Sequence, residues 1–279
     1  MSVAARLAGF GAILLAVLGI SSLAGGAVNP PRHGVASCDV EPAMEEMAGP
    51  MGVSSQQSGY RIVPLDTTLP AGAPHDFRFR VVDDNGHPVR DFCDEHGARL
   101  HLIIVRRDLS DYHHIHPRLA ADGTWSIPVR LSEPGAYRAF ADFRTKERSA
   151  VLGTDLFAPG DFTPRALPGP SRTQQVDGYS VRLGGERARA AGETHLHFTV
   201  SRNGREITDL EPYLGARGHL VALREGDLAY LHVHPQEGPE PGAGITFGAE
   251  FPSAGRYRLF LQFRHAGRVH TTAFTEEVR

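Results

Sequence analysis

This sequence predicts an all-β protein: two tandem immunoglobulin-like antiparallel β-sandwich domains behind an N-terminal hydrophobic helix. Three observations carry the prediction. Short runs of alternating apolar and polar residues are separated by Gly, Pro, Asn and Asp, the pattern of half-buried strands joined by turns. No segment after the N-terminus sustains a helical period. The chain also repeats itself in units of about a hundred residues, an ordinary domain size with room for roughly seven strands.

The elements follow in order. Residues 1–27 read as a signal peptide or a membrane anchor: Arg6 precedes Leu7 to Ala24, apolar apart from Ser21, Ser22 and glycines. Cleavage after Ala24 or Ala27 suits a signal, and a length near the roughly 20 residues that span a bilayer suits an anchor in the cytoplasmic membrane. Either places the body outside the cytoplasm, membrane-anchored or secreted. Residues 28–58, with Pro30, Pro31 and Pro50, read as a disordered linker. It holds His33, Met44, Met47 and Met51; thioethers select copper(I), but the same residues also suit a short helical face or no function. Cys38 lies here and Cys93 before the first histidine strand. Oxidising surroundings favour their pairing, and free thiols acting as soft ligands are the alternative.

The first domain spans 59–157 and the second 178–279, with a Pro/Gly linker at 158–177. Gly59-Tyr60 matches Gly178-Tyr179, and Phe77 to Val81 matches Leu196 to Val200. Asn85-Gly86 matches Asn203-Gly204, a dipeptide suited to hairpin turns, and Pro134 to Phe143 matches Ala254 to Phe263.

Within this repeat one constellation occurs twice. His101, His114 and His116 correspond to His219, His232 and His234, with identical spacing and a Tyr and a Pro in matching places. Imidazole is the commonest metal ligand and titrates nearest neutral pH. A two-residue turn at Gly226-Asp227 pairs Leu223 with Tyr230, Val221 with His232 and His219 with His234. The same register sets His101 opposite His116 and His114 opposite Ile103. Alternation then gathers each triple on one face, enough for three nitrogen ligands with a coordination position open. Leu102, Ile104 and Ile115 occupy the other face and read as core, leaving the histidines toward solvent or another domain. Tyr112, Ile103 and Val105 share the histidine face, so the alternative is a packing surface whose imidazoles hydrogen-bond one another. Metal affinity on ordinary imidazoles falls as pH drops through about 6.5. His75, His87, His96, His195, His197, His265 and His270 do not repeat cleanly and read as surface residues, and His113 faces away from the triple.

A net charge of −3 and the lack of a basic patch exclude a nucleic-acid role. There is no nucleophile elbow, zinc-protease motif or phosphate-cradling loop, so a binding module is more economical than an enzyme.

The run His101 to Leu109, then His114-Ile115-His116-Pro117, Asp122 to Trp125 and Gly135 to Arg138, resembles a family of uncharacterised bacterial envelope proteins. Pro212 to Ala216, Gly218 to Val221 and Leu228 to Pro235 carry the same resemblance in the second domain, which covers nearly everything after Gly59. It implies membrane-anchored or secreted tandem β-sandwiches, often with a His/Met-rich linker and a link to copper. This chain departs in its sparse linker. The architecture is also similar to small periplasmic copper carriers of the CopC and YtkA-like kind. The expected function is binding of a metal ion, copper before zinc, with a membrane metal transporter or metalloprotein as a further partner. The alternative is a non-metal cell-envelope interaction or structural module.

Overall fold

The computed structural model describes residues 51–231, 233–236 and 244–279. Among them no helix is long and apolar enough to cross a membrane, and the hydrophobic helix expected at 1–27 lies outside the described residues. His33, Cys38, Met44 and Met47 also lie outside them.

The first domain contains β1 (Gln56–Gln57), β2 (Tyr60–Pro64), β3 (His75–Asp83), β4 (Leu100–Arg106), β5 (His113–Ile115), β6 (Arg118–Leu119), β7 (Thr124–Val129), β8 (Gly135–Arg144) and β9 (Ser149–Ala158). The second contains β10 (Thr173–Val176), β11 (Tyr179–Gly184), β12 (Glu193–Arg202), β13 (Arg205–Glu206), β14 (His219–Arg224), β15 (Tyr230–Leu231), β16 (Val233–Pro235), β17 (Gly244–Glu250), β18 (Gly255–His265) and β19 (Arg268–Val278).

The first domain pairs β1-β2-β3-β7-β6 in one sheet and β5-β4-β8-β9 in the other. The second repeats this as β10-β11-β12-β17-β16 and β15-β14-β18-β19. Every ladder is antiparallel, and the order is that of an immunoglobulin sandwich with one added edge strand beside the central pair. Strand alternation explains the layering: Phe77, Phe79 and Val81 of β3 face the core with Trp125, while Arg78 and Arg80 face outward. A tyrosine corner marks both domains at the start of the equivalent strand. Tyr137 donates to the Glu133 carbonyl at 2.7 Å and Tyr257 to the Ser253 carbonyl at 3.0 Å.

β4 is buried on both faces, which is why its sequence is nearly continuous in apolar residues. Leu102 and Ile104 fill the first domain's core. Ile103 and Val105 point the other way, into a third cluster with Val221, Leu223 and Leu228 of the second domain. The contact is reciprocal. Tyr112 stacks on Phe260 at 4.0 Å and its repeat mate Tyr230 packs 5.7 Å from Phe140, the mate of Phe260. Equivalent surfaces therefore meet, as in the isologous interface of a two-fold dimer.

Two connecting segments are more ordered than their composition suggests. The 158–177 stretch ends in β10 and docks on both domains: Thr163 O accepts from Arg106, and Leu167 O accepts from Arg256. Part of the stretch expected to be disordered is also built in. Met51 O accepts from Tyr230 N, Gly52 O accepts from Arg138, and Gly153 N donates to Ser54 O. A Cβ at Gly153 would fall 1.9 Å from Gly52 O, so only glycine admits this close passage. Met51 is 5% exposed and its thioether packs in the interdomain cluster rather than in a ligand set. Met51→Ala is expected to cost about 2–4 kcal/mol by chemical denaturation, as for other core truncations of Met.

Candidate metal centre

The first triple is assembled by the turn from one sheet to the other. β5 pairs with β4 through Leu102–Ile115, Ile103–His114 and Ile104–His113, the expected register. Pro117 has no N–H to continue that ladder, and the chain crosses to β6. His116 sits at this crossing, beside His101 at the start of β4. His101 Nδ1 lies 3.0 Å from His114 Nε2 and 3.1 Å from His116 Nε2, and one nitrogen from each ring falls within 4.8 Å of the others. His101 and His114 are buried, at 5% and 9% exposure.

The outer nitrogens decide what the inner ones can do. His101 Nε2–H donates to the Glu95 carbonyl at 3.1 Å, and His114 Nδ1–H donates to Gln262 Oε1 at 2.6 Å. The Gln262 amide nitrogen donates to Thr271 Oγ1, leaving its oxygen to accept. A neutral imidazole carries one N–H, so His101 Nδ1 and His114 Nε2 both present lone pairs across 3.0 Å. Two lone pairs at that distance repel unless a cation lies between them. Tetrahedral zinc with nitrogen ligands at 2.0–2.1 Å has N···N edges of about 3.3 Å. Outer N–H groups held by carbonyl oxygens are also what metal-ligating histidines ordinarily show.

The electrostatics keep His114, His116 and His219 neutral. Burial, then the nearness of His101, push His114 down to about 3, against an opposing hydrogen bond from Gln262. The same two causes push His116 down to about 4. His219 is held well below the ordinary histidine value by burial and by its neighbours His114 and His101.

Among the described residues, His219 and His234 of the second triple do not come together as His101 and His116 do. β15 pairs with β14 only through Ala222–Leu231 and Leu223–Tyr230, because the chain crosses to the other sheet two residues earlier than in the first domain. His234 therefore pairs with Gly248 of β17, exposed, and not with His219 as the hairpin register predicts. His232 lies outside the described residues. His219 instead stacks on the first triple, its ring centroid 4.6 Å from His114 and 5.7 Å from His101.

Several residues read as surface histidines have structural roles. His270 is 4% exposed with Nδ1 2.7 Å from Asp177, and His265 Nδ1 lies 2.6 Å from the Tyr179 hydroxyl. His113 contacts Asp111 at 3.2 Å, away from the triple. Cys93 is buried and disulfide-bonded. Gln262 is the functional residue that sequence reading missed. It falls where the first repeat has Asp142, and nothing in its neighbourhood announces a partner in the other domain.

The fold and the site define a tandem immunoglobulin-like protein with a histidine triple, two of its members buried, at its domain interface. The chain belongs to the family described as Domain of unknown function (DUF8832), which matches residues 55–156 and 174–279, one match per domain. No curated protein matches it in sequence. Among solved structures it is similar to FdeC, an Escherichia coli adhesin, at 12% identity and TM-score 0.26, covering 81% of this chain and 65% of that one. It is also similar to the Yersinia pseudotuberculosis adhesin InvE, at 10% identity and TM-score 0.23, covering 78% and 59%. The Lin-41 filamin domain aligns with 40% of this chain and 98% of its own, at 14% identity and TM-score 0.24. The chain thus spans about 65% and 59% of the two adhesins. At such TM-scores the fold assignment rests on the strand pairings and tyrosine corners themselves. None of these likenesses links the chain to the periplasmic copper carriers.

Proposed function

We propose that the protein is a non-enzymatic, extracytoplasmic metal-binding module that takes a transition-metal ion, copper before zinc, on His101, His114 and His116. One observation carries the reading: lone pairs of His101 and His114 face each other at 3.0 Å while their outer N–H groups are held by Glu95 and Gln262. Imidazole nitrogens without thiolate suit copper and zinc alike, and copper(II) binds such ligands more tightly than zinc. The apolar segment 7–24 supports placement outside the cytoplasm with the membrane as neighbour; a metal transporter or metalloprotein is the recipient we propose.

A second reading has its own observation in the interdomain cluster of Ile103, Val105, Val221 and Leu223, which the histidines border. A half-turn of the Gln262 amide, or a proton on His101, supplies the missing hydrogen, and the triple becomes packing within a cell-envelope structural module. Calorimetric titration of the chain with Cu(I), Cu(II) and Zn(II) separates the two. Saturable one-to-one binding is expected of the metal site. Absence of binding for all three ions leaves the structural module.

A further inference from the structure

We infer that the metal centre is completed across the domain boundary, with His219 as fourth imidazole ligand, so that a bound ion clasps the two domains. The inference rests on the three-histidine reading above and extends it. His219 Nε2 is buried and has no hydrogen-bond partner among the described residues. A buried polar atom left unpartnered costs stability and asks for an explanation, and a bound ion is one of the recognised ones.

His219 borders the triple without joining it: its nitrogens stand outside the set that lies within 4.8 Å, so ligation requires its ring to turn toward the other three. The ring centroids of His101, His114 and His116 lie 4.9–5.2 Å apart, and that of His219 lies 4.6 and 5.7 Å from two of the three. Three nitrogens leave one position open in a four-coordinate site, and His219 is the imidazole of the second domain that borders it. That domain already reaches the site through a second group. Gln262 pairs with His219 across β14 and β18, and its side chain holds the outer N–H of His114. His219 is thus the candidate ligand and Gln262 a positioning residue, both from the second domain. His101 and His219 are repeat mates whose rings lie 5.7 Å apart, so the pseudo-two-fold interface itself brings an imidazole from each side to one place.

The consequence is linkage. A ligand set divided between domains binds the docked arrangement and not a separated one, so metal strengthens docking and docking strengthens metal binding equally.

The test uses the full chain, Zn(II) for affinity and Co(II) as a spectroscopic probe. His219→Phe keeps a stacked ring and removes both nitrogens; His219→Gln serves if the Phe variant misfolds. The metal-free His219→Phe variant is expected to melt no lower than wild type, because an unpartnered buried nitrogen is gone. Its Zn(II) affinity should fall by roughly tenfold or more and its Co(II) visible spectrum should change from that of wild type, while Gln262→Leu costs about 10–100-fold in affinity. Unchanged affinity and an unchanged Co(II) spectrum in the His219 variants, with binding still lost when His114 and His116 are replaced, would overturn the inference and leave the three-histidine site standing. Absence of binding in wild type for Cu(I), Cu(II), Zn(II) and Co(II) alike overturns both.

Discussion

Replacing His114 and His116 together with Gln is expected to abolish metal-induced stabilisation while leaving the metal-free chain folded. Gln is close in size to His and its amide N–H groups can donate, so His101 Nδ1 has a donor within reach in the variant. A ligand that binds only the native state stabilises it by RT ln(1 + [L]/Kd), about 2.7 kcal/mol at a hundredfold excess over Kd. For a body of this size that corresponds to a rise of several degrees in Tm, by roughly 2–4 °C per kcal/mol. The structural-module reading predicts the reverse pattern. There the double variant melts lower without metal, since disrupting a buried network leaves polar groups unsatisfied at about 1–3 kcal/mol each, and wild type shows no shift with metal. Paired melting curves with and without Cu(I) or Zn(II) tell the two apart.

The second large effect is acid destabilisation of the metal-free protein. His114 is held neutral in the folded state down to about 3, whereas in the unfolded chain it titrates near the ordinary histidine value of about 6.5. Below about 6.5 the unfolded state therefore binds the extra proton, and stability falls as pH falls. The contribution is intact above that pH and is lost progressively toward about 3. His114 alone gives a slope of about 1.4 kcal/mol per pH unit over this window, and His116 adds to it down to about 4. Urea denaturation at pH 7, 6, 5 and 4 should show this decline, and the His114→Gln variant should show a shallower one. A wild-type slope no steeper than the variant's would mean that His114 is not buried neutral. The same values bear on proton competition at two of the three proposed ligands. Ordinary imidazoles lose metal near pH 6.5, but His114 and His116 stay deprotonated well below it, so proton competition at these two rings sets in only near 3–4.

Much of the fold was legible in the chain because its signals are local. The alternation of Phe77, Phe79 and Val81, the Asn-Gly turns, and the repeated Gly-x-Tyr at the tyrosine corners each act within a few residues. The internal repeat then extended each local signal to a second domain. The first histidine triple was legible for the same reason, since hairpin register alone sets His114 opposite Ile103. The expected pairing of His219 with His234 fails because the hairpin register stops at Leu231, where the chain changes sheets. That choice depends on competition between two edge strands, and the His-x-His-Pro motif reads identically in both copies. His270 escaped notice because its burial comes from Tyr179 and Phe263 on strands distant in sequence.

By itself the sequence determined two immunoglobulin-like sandwiches, their repeat correspondence, and three imidazoles gathered at the start of β4. These follow from period-two alternation, turn chemistry and spacing, all short-range. Only the tertiary structure decided that Ile103 and Val105 face a second domain, that Gln262 orients His114, and that His219 lies against the first triple instead of beside His234. Docking of two domains depends on the match of whole surfaces, a property that no single stretch of alternating residues contains.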